Sequence, residues 1–316
     1  MSATTVSPGE LRAARLRLRL RNSASFGRRL LSRPEGLLGI IILAFFSVLA
    51  AVPELLVGAL ETATTASGSR LQPPSAAHPF GTDRLGRDML NLTVHATRIS
   101  MVIGLLATAI TVFLGALIGI VAGFLGGLVD TILMRITDFF LVLPTFVLAL
   151  ILAPILLDII GANAQLFGMR VTLVVIVVVI GVTSWASTAR IIRSQALSLR
   201  ERTFVARARV IGSGSGQIMR RHILPNVVGL VVANAVLVFA GAILTETTLS
   251  FIGLGDPFQP SWGQILYAAN AAGALPIGAW WFMAWPAASI ILVVLAFTLL
   301  GSALDDLLNP RLRARR

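Results

Sequence analysis

The 316-residue chain contains no lysine and no cysteine. All 26 basic residues are arginine, and histidine occurs only as His78, His95 and His222. Each absence removes a class of chemistry. A phosphate-binding loop of the GxxxxGKS/T type needs its lysine to reach the phosphates. A Schiff-base enzyme needs a lysine amine. Without cysteine there is no disulfide, no thiolate nucleophile and no Cys-based metal site. The three histidines are too far apart in sequence to suggest a metal centre. Charge is also scarce, at 13% of residues, against roughly 25% in a soluble domain.

What remains is mostly apolar, 56% by residue type. Several runs reach the roughly 20 residues needed to cross a bilayer. The composition therefore predicts an all-α polytopic membrane protein. Six transmembrane helices are expected at about 36–56, 99–124, 139–157, 171–189, 229–252 and 279–300. The third contains Pro144 and Pro154, either of which can break it. Trp280, Trp281 and Trp285 head the sixth, as suits a membrane–water interface. The first run is longer than the 7–15 apolar residues of a secretory leader, so it reads as an uncleaved span, not a signal peptide.

The net charge of +12 does not point to nucleic acid, because the arginines are sorted. Residues 1–35 hold eight, 190–222 hold eight, the C-terminal tail four and the turn 125–138 one. The opposite side has only Arg70, Arg84, Arg87, Arg98 and Arg170. Cytoplasmic loops collect arginine, so both termini and the loop 190–222 are expected in the cytoplasm. The chain divides into an Arg-rich segment 1–35, a first span with its extracytoplasmic loop 36–98, a core 99–304 and a cytoplasmic tail 305–316. The core carries the cytoplasmic loop 190–226. In the second span Gly115, Gly119, Gly123 and Gly127 recur every four residues, a stripe that lets another helix approach closely.

The stretch ERTFVARARVIGSGSGQIMRRHILPN (201–226) breaks the apolar pattern. Residues 203–211 read as a short helix, with Gly212 where a left-handed C′ residue belongs. Ser215 is placed to cap a second short helix, 217–223, which Pro225 would end. Phe204, Val205 and Ala208 form one face; Arg202, Arg209 and Arg220 form another. Positive-inside retention, anionic-lipid binding and docking of a soluble partner all remain open on these grounds.

Spacing then supplies a resemblance. Ala206-Arg207-Ala208, three residues, Gly212, nine residues, then His222-Ile223-Leu224-Pro225 resembles the EAA loop of bacterial ABC-importer permeases. That loop reads EAA, three residues, Gly, nine residues, I-x-L-P. Here Ala206 replaces the glutamate, Arg207 the first alanine and His222 the isoleucine. HPFGTDRLGRDML (78–90), GFLGGLVDTILMRITDFFLVLP (123–144), LTETTLSFIGLGDPFQPSWGQIL (244–266) and DDLLNPRLR (305–313) resemble elements of the C-type permeases of the dipeptide/oligopeptide/nickel group. The likeness spans roughly 34–313.

The resemblance implies a type I importer permease fold in the bacterial cytoplasmic membrane. It implies a non-catalytic subunit forming half of a path for dipeptides or oligopeptides. Nickel or another small solute is the alternative cargo, and an ion-coupled secondary transporter the alternative class. Implied partners are a second homologous permease in a heterodimer, two ABC ATPase subunits, an extracytoplasmic binding protein and membrane lipid, but no nucleic acid. ATP and Mg would sit on the ATPases. Phe204, Ala206, Arg207, Ala208, Arg209, Gly212, Leu224 and Pro225 would form the ATPase-coupling unit.

Asp138 and Glu246 stand out as acids in or beside spans, positions that carry function by default. Contact with substrate and polar pairing between helices are the two readings, the second favoured. Asp138 is expected to pair with Arg135, and Glu246 to lie near the outer interface with water available. In 78–90, Thr82 is expected to cap a helix.

Overall fold

The computed structural model describes residues 27–161, 164–166 and 168–308. The alternating arginines 15–21 and the end of the DDLLNPRLR motif lie outside them. The helices are α1 (Pro34–Ala51), α2 (Pro53–Val57), α3 (Met89–Leu125), α4 (Gly127–Val142) and α5 (Thr145–Ile160). A two-stranded hairpin, β1 (Gln165–Leu166) and β2 (Met169–Arg170), precedes α6 (Val171–Arg200). Then come α7 (Thr203–Val210), α8 (Ser215–Ile218), a π turn Met219–Ile223, α9 (Leu224–Leu249), a second π turn Ser250–Leu254, α10 (Trp262–Ala271) and α11 (Trp281–Leu308).

Among the described residues, 5 helical runs are long and apolar enough to cross a membrane. The pair α4 and α5 makes a sixth if counted as one span, although it bends by 90°. The bend falls at Leu143-Pro144, where the proline has no N–H to extend α4. Pro154, by contrast, lies inside α5 without ending it.

The second span starts ten residues earlier than its hydropathy suggests. α3 has 37 residues, roughly 56 Å at about 1.5 Å per residue, nearly twice a bilayer's hydrocarbon core of about 30 Å. Its first turns are polar in sequence because they hold a loop. Asn91 Nδ2 donates to the carbonyls of Val57 at 2.8 Å and Ala59 at 2.9 Å, and its Oδ1 accepts from Glu61 N at 3.0 Å. His95 Nε2 lies 2.9 Å from Gly58 O. The cap is Asp88, which accepts from Leu90 N and Asn91 N. Thr82 is not a cap: its hydroxyl donates to Ser69 O at 2.6 Å and accepts from Gln72 N at 2.8 Å.

α3 packs most extensively on α6, and the glycine stripe is the reason. A Cβ on Gly115 would stand 2.5 Å from Thr188 Cβ, one on Gly119 2.6 Å from Ala189 O, and one on Gly123 2.7 Å from Arg193 O. Only glycine lets the two backbones come this close. Gly127, the expected fourth member, instead starts α4 at φ 56° with open space around it.

The ends of the elements alternate between two faces. Arg33 Nη1 and Asp306 Oδ2 are 2.6 Å apart, so the two described ends share one face with α7 and α8. The other face holds 52–88 and 250–280. There Trp281 Nε1 donates to Thr82 O at 3.1 Å and Trp285 Nε1 to Phe80 O at 3.2 Å. Phe80 also stacks on Trp285, with ring centroids 3.9 Å apart. These two tryptophans anchor the long loop instead of floating at a lipid interface; Trp280 is the one left exposed.

Candidate functional site

The helix–turn–helix unit between α6 and α9 is built from its ends inward. α7 closes in a Schellman turn: Ser213 N donates to Ala208 O at 3.0 Å and Gly212 N to Arg209 O at 2.9 Å. Gly212 has φ 84°. No neighbour crowds it, so the left-handed backbone is what calls for glycine. Arg207 and Arg209 occupy the last turn, where cations suit the helix dipole.

Val205 and Ala208 are buried with Phe124, Ile192, Ala196, Ile218, Ile223 and Val227, fastening α7 to the ends of α3, α6 and α9. Phe204 is half-buried with its ring 6.2 Å from that of His222. The guanidinium of Arg209 sits 5.6 Å from the centroid of Phe124. Ala208, expected at a partner contact, therefore faces its own chain. Ala206 and Arg207 face outward.

Sequence reasoning missed what stands beside Arg207. Val210 and Ile211 are 88% and 82% exposed. They follow Arg207 at i+3 and i+4, which places the three on one helical face. The signal was present: an apolar pair immediately before Gly212, with Val210 five residues from the buried Val205 and so turned away from it. The result is a small apolar tip with a cation at its centre, projecting from the membrane helices.

The return into the membrane differs from expectation. Ser215 begins α8 and does not cap it; Gly214 is the cap residue and offers no side chain. Pro225 does not end the helix. A π turn over Met219–Ile223 leads directly into α9, with Leu224 N bonded to Met219 O, five residues back. This wider turn leaves room for a proline without breaking the axis. Leu224 then lines an apolar groove of about 660 Å³ with Val112, Phe113, Leu117, Met219 and Val231.

Behind the unit, two ion pairs tie α6 to α4. Arg193 Nε and Nη2 bind Asp130 Oδ1 and Oδ2 at 2.5 and 2.6 Å, the fork geometry that suits Arg to carboxylate. Arg190 Nη2 lies 2.7 Å from Asp138 Oδ1. Asp138 thus pairs across helices with Arg190 and not with Arg135 on its own helix.

Glu246 is fully buried, with no access to water at an interface. Its carboxyl accepts from Ser250 Oγ at 2.8 Å and Ser100 Oγ at 3.3 Å. Ser100 Oγ in turn accepts from Trp262 N at 3.1 Å. The acid therefore joins α9, α3 and α10 in one buried network. It was placed too shallow because residues 250–280 fold back over the end of α9.

In the loop 78–90, Asp83 is buried and its Oδ1 accepts from Leu85 N at 2.8 Å and Arg87 N at 2.9 Å. Arg87 Nε adds a bond to Oδ2 at 2.8 Å, and His78 Nδ1 lies 3.0 Å from Asp88 Oδ2. These charges are spent on local structure. Nearby, Arg98 binds both carboxylate oxygens of Glu54 at 2.6 and 2.8 Å. That pairing holds the Glu54 carboxyl below the usual glutamate range.

Five spanning helices and a bent sixth pair among the described residues, with a loop helix spaced in this way, resemble the membrane component of a transport system. Residues 115–314 match the family described as binding-protein-dependent transport system inner membrane component. The dipeptide transport system permease protein DppC of Bacillus subtilis is 36% identical over 288 residues, covering 90% of this chain and 85% of that protein. DppC of Alkalihalophilus pseudofirmus is 33% identical over 279 residues, covering 88% and 86%. The chain belongs to the binding-protein-dependent inner-membrane permease family, as its loop spacing and outer motifs implied.

Proposed function

We propose that this chain is the permease subunit of an ATP-driven peptide importer in the bacterial cytoplasmic membrane. The observation that carries the proposal is the outward tip of Arg207, Val210 and Ile211 on a helix clamped at Val205 and Ala208. A short helix held firmly from behind and apolar at its tip is suited to pass force from a soluble subunit to the spans. Phe204, Arg209 and Gly212 shape that helix, and Leu224-Pro225 carry its return. The arginine bias supports a cytoplasmic tip.

The names of the relatives support a peptide cargo, dipeptides or oligopeptides. A second, homologous permease completes the path and covers the groove beside Leu224. Two ATPase subunits hold ATP and Mg and hydrolyse the nucleotide; a binding protein delivers peptide at the face that holds 52–88 and 250–280. Asp138 and Glu246 act as contacts between helices, and Gly115, Gly119 and Gly123 as packing positions. The test is purification through a tag on this chain, then reconstitution in liposomes. The expected result is a complex with a second permease and ATPases, whose dipeptide uptake requires ATP and binding protein. Purification without any ATPase, or uptake that follows an ion gradient alone, overturns the proposal.

A further inference from the structure

A second cavity lies between α3, α5, α6 and α9, and its polar lining contrasts with the apolar groove beside Leu224. It measures about 270 Å³ and is lined by Thr111, Thr145, Ser184, Ser187, Gly241 and Thr245 among its residues. Five hydroxyls from four helices converge on one recess, and no carboxylate, guanidinium or imidazole lines it. Ser184 lies roughly 20 Å along α6 from Val171, at about 1.5 Å per residue. That depth is inside a hydrocarbon core about 30 Å thick.

Hydroxyls at such a depth pair with protein or face a water-filled space. Two of these are partly engaged. Thr245 Oγ1 donates to Gly241 O at 2.9 Å, and Thr111 Oγ1 to Gly181 O at 3.4 Å. Thr111 is itself fully buried and closes the back of the recess, whereas Thr245 keeps oxygen lone pairs for a further donor, since a hydroxyl has one proton and two acceptor sites. Ser184 and Ser187 are three residues apart on α6, so they share a face. Gly241 adds open space: a Cβ built there meets nothing within 4 Å. The recess therefore offers donors and acceptors together, room beside them, and no fixed charge.

We propose that this recess is a transit site for the main-chain amides of the transported peptide. An amide presents one N–H and one C=O, and desolvating it without partners costs about 1–3 kcal/mol on protein scales. Hydroxyls match both groups, because each can donate or accept. An uncharged lining exerts no preference for the charge of the side chains that pass. The volume is just under the roughly 300–1,000 Å³ of small-ligand pockets, as fits one half of a site whose other half belongs to the second permease. This inference rests on the peptide-import reading and adds to it where in the membrane the cargo is held.

The test uses the whole transporter with its second permease, ATPases and binding protein in liposomes. Ser184→Ala, Ser187→Ala and Thr245→Val are combined, removing hydroxyls with little change of shape. Dipeptide uptake is expected to fall about a hundredfold, as the loss of three hydrogen bonds near 1 kcal/mol each implies. ATPase stimulation by loaded binding protein is expected to persist. Uptake equal to the unaltered transporter overturns the inference.

A second measurement covers a combined variant that does not assemble. The chain has no cysteine, so Ser187→Cys gives it a single thiol. Its reaction with a small hydrophilic thiol reagent is expected to slow several-fold while a dipeptide is transported, and that of Ser67→Cys, exposed in the loop outside the spans, to show no such protection. Equal rates at Ser187→Cys with and without dipeptide overturn the transit site. Failure of the unaltered complex to take up any peptide would instead overturn the peptide reading itself.

Discussion

Glu246 shows what a single carboxyl does when the membrane gives it no cation. Its bonds to Ser100 and Ser250, and through Ser100 to Trp262 N, knit three elements at one point. Glu246→Gln keeps a carbonyl acceptor and is expected to leave the thermal midpoint of the detergent-solubilised complex nearly unchanged. Glu246→Leu removes both acceptors and leaves buried serine hydroxyls unpaired, at a cost of about 1–3 kcal/mol each. Its midpoint is expected to fall by several degrees in a melting scan. A Glu246→Leu complex as stable as the unaltered one would mean the network contributes nothing. At this scale the sequence was only half informative. It marked Glu246 and Asp138 as acids among apolar residues. It could not supply Ser100, which lies 146 positions away, or Arg190, which lies 52 away, because partners across helices exist only after packing.

Among elements, α3 and α6 approach closely along three spaced glycines. Gly119 meets Ala189 O and Arg193 N, both backbone atoms that cannot rotate away. Gly119→Leu is therefore expected to cost at least about 1–3 kcal/mol, the range for overpacking, and to reduce recovery of intact complex on size-exclusion chromatography. Gly214→Ala is the control: its φ is −68° and a Cβ there meets nothing within 4 Å, so recovery should not change. The four-residue glycine period made this contact legible before any coordinates, although not the partner helix. The start of α3 was not legible. Asn91, Thr93 and His95 make that turn look like loop by hydropathy, and Asn91 and His95 are polar because they bind a loop. The break at Pro144 was readable as a possibility; its 90° bend depends on α5 packing against α6, which no local pattern reports.

For the whole molecule, the loop unit at one face and the wrapped segment at the other are held by the same helices. The tip is exposed in this chain alone, so substitutions there are expected to spare its own stability. Val210→Asp with Ile211→Asp should leave the thermal midpoint unchanged yet strip the ATPases during purification. Arg207→Glu, tested separately, should uncouple ATP hydrolysis from uptake; retained coupling would show that the cation is dispensable. Loop spacing from Ala206 to Pro225 made the position of this unit legible. Its working face was not, since Val210 and Ile211 differ from Val205 only in phase around the helix.

The length of α3 has a mechanical meaning. One end is gripped by carbonyls through Asn91 and His95, and the other runs along α6 in a glycine track. Both grips resist bending of α3, so the α3–α6 pair is stiffer than the span interrupted at Leu143-Pro144. The forked Arg193–Asp130 pair ties that interrupted span to α6.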